Sequence, residues 1–158
     1  MKKLIAMTVL AAAVMVAPFA AAQDNADGIA EVQALRTAAQ KDKRALVATT
    51  LDLSPADAKK FWPVYDTYQR DLARYQRARN VALETLVARD RPMSTPYAKN
   101  LSNELLAIEE QEIKSRRKMH TAVMKALPPK KSAQYMQLES KLRAAQAYEI
   151  AIAFPLEK

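Results

Sequence analysis

The chain has 158 residues, with 25 Lys and Arg against 17 Asp and Glu, a formal charge of +8, no cysteine and a single glycine. That composition excludes a disulfide scaffold, thiol chemistry and a glycine-rich phosphate loop. Almost no glycine is available for the tight turns that strands need, so eight prolines are left to punctuate long helices.

The N-terminus reads as an export signal: Lys2 and Lys3 precede an apolar run from Leu4 to Ala17, too short to span a bilayer comfortably. Ala20 and Ala22 give the small-x-small cleavage pattern, so residues 1–22 are expected to be removed before Gln23. The mature chain, 23–158, is then one helical domain with 23 basic and 17 acidic residues, a net +6. The expected location is the periplasm, where stability without disulfides must come from helix packing. A basic chain there favours acidic or unfolded protein segments, one acidic envelope protein, or an anionic membrane surface, and export removes nucleic acid from the candidate partners.

The first helix is expected from about Ile29 to Thr49, with Ile29, Val32, Leu35, Ala39 and Leu46 near one stripe. Leu53-Ser54-Pro55-Ala56-Asp57 is a helix start: Ser54 can cap, Pro55 suits the first position, and Asp57 stands where a capping-box acid would. The second helix should run to about Ala88, its seam Phe61, Tyr65, Tyr68, Leu72, Tyr75, Ala82 and Leu86 broken only by Arg79. Pro63 sits inside it, lacks a donor, and should bend the preceding turn.

Asp90 to Pro96 breaks the pattern and sets up an antiparallel hairpin. Helix three, about Pro96 to Ala126, has Leu101, Leu105, Ile108, Met119, Ala122 and Ala126 on its seam and Glu112 as a polar interruption. Leu127-Pro128-Pro129 stops it. A fourth helix to Ala153 should turn Tyr135, Leu138, Leu142, Ala145 and Ile152 inward. The expected architecture is all-α: four helices with proline-marked connections in an elongated antiparallel hairpin or bundle.

Two helix starts echo each other, since Leu53 precedes Phe61 by eight residues and Leu127 precedes Tyr135 by eight. At these residues the chain resembles the Spy/CpxP-like family of small exported helical proteins, whose helix-entry motifs read Leu-Thr-x-x-Gln. The first entry keeps the Leu and a hydroxyl cap with Asp57 in place of Gln, and the second keeps the Leu. The chain also resembles a group of exported bacterial proteins marked by Phe61-Trp62-Pro63-Val64-Tyr65, Gln137-Leu138-Glu139 with Lys141-Leu142, and Pro155-Leu156. The first resemblance implies an ATP-independent chaperone or envelope-stress role; both imply export and a helical fold.

Catalysis finds little support, because the mature chain has one His, no Cys and no nucleophile elbow. Glu109, Glu110 and Glu112, one turn from Lys114, Arg116, Arg117 and Lys118, read as helix-surface ion pairs. His120 and Met124, at i+4, form a thin candidate for a soft metal ion, and no cofactor is expected. The aromatic group Phe61, Trp62, Tyr65 and Tyr68 admits two placements. It is, with Tyr75, either bundle core or, because buried Tyr hydroxyls need partners, a half-exposed binding face flanked by Arg70, Arg74, Arg77 and Arg79. The expected function is a non-enzymatic binding protein holding unfolded or acidic chains on that face, with Leu53, Ser54, Pro63, Leu127 and Tyr135 as its frame. The alternatives are docking on one defined partner, which could be a second copy of the chain in a homodimer, and a metal-responsive role.

Overall fold

The computed structural model describes residues 18–154, as four helices: α1 (Pro18–Leu51), α2 (Pro55–Val87), α3 (Thr95–Ala126) and α4 (Pro129–Ala153). They form an all-α antiparallel bundle in which α2 packs most closely on α3 and α1 on α4, while α3 meets α4 only locally. Residues 1–17, where the export signal is expected, and the Pro155-Leu156 motif lie outside the described residues. Among the described residues, no helix is long and apolar enough to cross a membrane.

The helix starts follow the chemistry of their caps. Ser54 accepts the Asp57 amide at 3.1 Å and Ser94 accepts the Tyr97 amide at 3.4 Å, each satisfying a backbone donor that the first turn leaves open. Asp57 turns its carboxylate to Lys131 at 3.5 Å. Helix α4 begins after Pro128 with no side-chain cap. Its entry is closed instead by fully buried Ser132, whose hydroxyl faces the Leu127 and Val123 carbonyls at 3.2 and 3.3 Å. Lys131 also donates to the Asp52 carbonyl at 2.6 Å, so the two echoing entries lie side by side at one end of the bundle. Asp52 itself takes the left-handed conformation, φ 42°, that ends α1.

Helix α1 differs from expectation in a way that matters for packing. It begins at Pro18 rather than Ile29, and at Asp42 the backbone leaves the helical region (φ −160°, ψ 94°). The Asp42 carboxylate accepts the Ala45 amide at 2.9 Å, so Asp42 caps a second, short helical segment. The break re-phases the apolar stripe. Val47 and Leu51 beyond it are fully buried, whereas Ile29, expected on the stripe, is 60% exposed. Ile152 on α4, expected inward, is likewise 64% exposed.

A single cluster joins Val47 and Leu51 of α1, Phe61 to Leu72 of α2, Met119, Val123 and Leu127 at the end of α3, and Tyr135, Leu138 and Leu142 of α4. It sits at the end where both turns meet, with Leu53 packed against it and Leu127 inside it. Helix α2 continues through Pro63 as one element.

Candidate functional site

The aromatic stripe is interior. Phe61 is fully buried, and Tyr65 and Tyr68 keep 4% and 2% exposure. Phe61 meets Tyr135 of α4 edge-on at 5.0 Å, the geometry that aligns a ring's positive edge with its neighbour's negative face. Trp62 is half-buried, edge-on to Phe61 at 5.1 Å and to Tyr65 at 5.3 Å, and the Arg44 guanidinium covers its ring at 4.1 Å. Arg70, Arg74 and Arg77 are all exposed and, by helical spacing, project from the side of α2 opposite the buried tyrosines. The expected union of aromatics and arginines on one face is therefore corrected for Phe61, Tyr65 and Tyr68, which lie in a core drawn from all four helices, and Arg70 and Arg77 stand apart from them, while Arg74 lies over the Tyr75 ring at 5.0 Å.

Burial, reinforced by the Glu139 charge, pushes the Tyr65 hydroxyl pKa up to about 12 and raises those of Tyr68 and Tyr135 as well. Glu139 is 1% exposed, and Lys43 of α1 donates to it at 3.0 Å and to Gln69 of α2 at 3.1 Å. This node links three helices through the core. Its signal in the sequence was a lone acid on the inward side of α4, between Tyr135 and Leu142.

The two polar interruptions noted in the seams prove to be partners. Arg79 of α2 bonds Glu112 of α3 at 2.8 Å, and Arg143 of α4 reaches the other oxygen of the same carboxylate at 2.8 and 3.0 Å. Two guanidiniums on one buried carboxylate fix the register of three helices at this level.

Among the described residues the helices leave open grooves, of which three bear on function. A cavity of about 340 Å³ above the Glu112 node lies between α2, α3 and α4, and one of about 350 Å³ lies between α1, α2 and α4. Gln76 and Gln146, joined at 2.7 Å, stand between them. The third, about 250 Å³, runs along the outside of the α2–α3 pair. Its floor is Pro63, Val64, Thr67, Tyr68, Met119 and Ala122, with Asp71 bonded to Ser115 at 2.9 Å. Beside it on α2, exposed Arg70 donates to Thr67 at 3.2 Å and Arg74 pairs with Asp71 at 3.4 Å, and Lys118 lines its α3 side. His120 and Met124 lie exposed on α3, and no group of three His, Cys, Asp or Glu that could hold a metal ion occurs among the described residues.

Comparison of the chain with protein-family models, with curated proteins and with solved structures returns no match.

Proposed function

We propose that this chain is an exported, chaperone-like binding protein of the periplasm, related to the Spy/CpxP type, that holds unfolded or acidic protein segments without nucleotide hydrolysis. One observation supports it above the others: the outer α2–α3 groove has an apolar floor with Lys118 on its lining and the exposed Arg70 and Arg74 beside it, held at Thr67 and Asp71. Cationic rims steer acidic chains on encounter, and the apolar floor slows their release. The contact surface is thus the outer groove, and the aromatic stripe is the frame beneath it.

The test is suppression of aggregation of unrelated unfolded proteins by the mature chain below equimolar ratio. Arg70, Arg74 and Arg77 changed together to Glu should leave the fold intact, since all three are exposed, and should slow capture at low salt. The difference should fade as ionic strength shortens the Debye length to about 8 Å. Equal capture by wild type and variant at low salt would refute the groove as the contact surface.

A further inference from the structure

We infer that the part of α1 before Asp42 is a hinged strap that covers a second docking surface, the groove between α2 and α4. The inference rests on the binding role proposed above for its partner, an apolar stretch of an unfolded chain.

The two parts of α1 are held very differently. Beyond Asp42, Val47 and Leu51 are wholly inside the core, and Lys43 and Arg44 are tied to Glu139 and to Asp66 with Trp62. Before it, from Gly28 to Lys41, no residue is buried; Val32, Leu35 and Ala39 are only partly covered. Leu35 and Ala39 rest against the edge of the core cluster, and the polar ties on this side are two ion pairs to α4, Arg36 with Glu149 and Glu31 with Lys141 at 2.5 Å, whose side chains are all more than a third exposed. Pairs of that kind contribute little and weaken with salt. The joint is already built: Asp42 is extended, and its carboxylate caps the following segment, so the core half of α1 needs nothing from the half before it.

Beneath the strap lies the cavity of about 350 Å³, to which the strap contributes Arg36, Ala39 and Gln40 and the anchored half of α1 contributes Lys43. Its opposite walls offer Leu72 and Ala73 from α2 and Leu142 and Ala145 from α4. Leu72 and Leu142 are also the edge of the aromatic core. Rotation about Asp42 lifts one wall away and presents an apolar strip flanked by the amides of Gln69, Gln76 and Gln146. Such a strip suits an unfolded chain, because the side chains meet apolar surface and the chain's open backbone groups meet carboxamides that both donate and accept.

The chain has no cysteine, so one introduced thiol reports on one position. Ala145→Cys, 7% exposed under the strap, is labelled by a maleimide in the full mature protein, with Val123→Cys, fully buried in the core, as the control for global opening. Arg36→Glu or 0.5 M NaCl should accelerate labelling at residue 145 by about threefold or more, the scale of a lost exposed pair, and leave residue 123 unchanged. Arg36→Glu should also raise suppression of client aggregation. Labelling at 145 that stays as slow as at 123 in both backgrounds would overturn the strap, and faster labelling without improved suppression would overturn the docking surface. Loss of all suppression in the wild-type protein is a separate result: it would remove the chaperone reading and with it the proposed occupant, while the hinge is measured independently by the thiol.

Discussion

Glu112→Gln isolates the energetics of the node that joins α2, α3 and α4. The carboxylate is 8% exposed and takes bonds from Arg79 at 2.8 Å and Arg143 at 2.8 and 3.0 Å. Glutamine keeps the shape, but it removes the charge and turns an amide donor toward a guanidinium donor. Breaking a buried pair costs about 3–5 kcal/mol when the remaining charge is stranded. Here the two arginines retain 17% and 28% exposure and can partly rehydrate, which brings the expected loss to about 2–4 kcal/mol. Against a total stability of about 5–15 kcal/mol, that is a large displacement of a urea midpoint at unchanged m-value. The companion variant replaces Arg79, Glu112 and Arg143 together by Leu, Leu and Met. It should recover the loss and can exceed wild type by about 1–4 kcal/mol, since no buried charge is left without its partners. A Glu112→Gln protein within about 0.5 kcal/mol of wild type would refute the reasoning, because such a value belongs to a solvated surface pair.

Two further outcomes follow from the interior of the bundle. Pro63→Ala, which restores an amide to the α2 ladder, should raise stability by about 1–3 kcal/mol in thermal or urea unfolding, and a lowered melting temperature would show that the bundle needs the helix shape that proline imposes. The raised pKa of Tyr65, Tyr68 and Tyr135 means that the unfolded chain gives up these protons first, so stability is flat below about pH 9 and falls above pH 10, by about 1.4 kcal/mol per tyrosine at pH 11. Absorbance at 295 nm should accordingly show incomplete ionisation of the protein's six tyrosines at pH 11 while the helical signal persists, and full ionisation of the folded protein there would overturn the assignment.

Much of the fold was legible because local chemistry and tertiary packing agree. Ser54 caps where its spacing from the following apolar run says it should. The expected seam is buried from Phe61 through Tyr65, Tyr68, Leu72 and Tyr75 to Ala82, as a regular helical stripe requires, and only its last member, Leu86, is partly exposed. Asp42 was not legible, because a lone acid among Lys41 and Lys43 reads as a solvated charge until the Ala45 amide turns toward it. Arg79 and Glu112 were each visible as interruptions, but only the relative register of α2 and α3 makes them partners, and neither helix's own pattern contains that register. The placement of Trp62 and its neighbours turned on the same kind of information. What covers an aromatic stripe depends on which part of another helix lies over it, and here that is the segment of α1 carrying Arg44, Val47 and Leu51.

The pairing of α1 with α4 also dictates an order of assembly. The α2–α3 hairpin closes through contacts that are near in sequence, so it can form as soon as its own residues are available. Val47 and Leu51, by contrast, find the Tyr135 side of their environment only once α4 has been made, more than eighty residues later in the chain. A ribosome that has released everything except α4 has therefore produced a hairpin and a loose N-terminal segment with its inward apolar residues uncovered. The core is therefore completed only when the final helix has been made and Tyr135, Leu138 and Leu142 close over Val47 and Leu51.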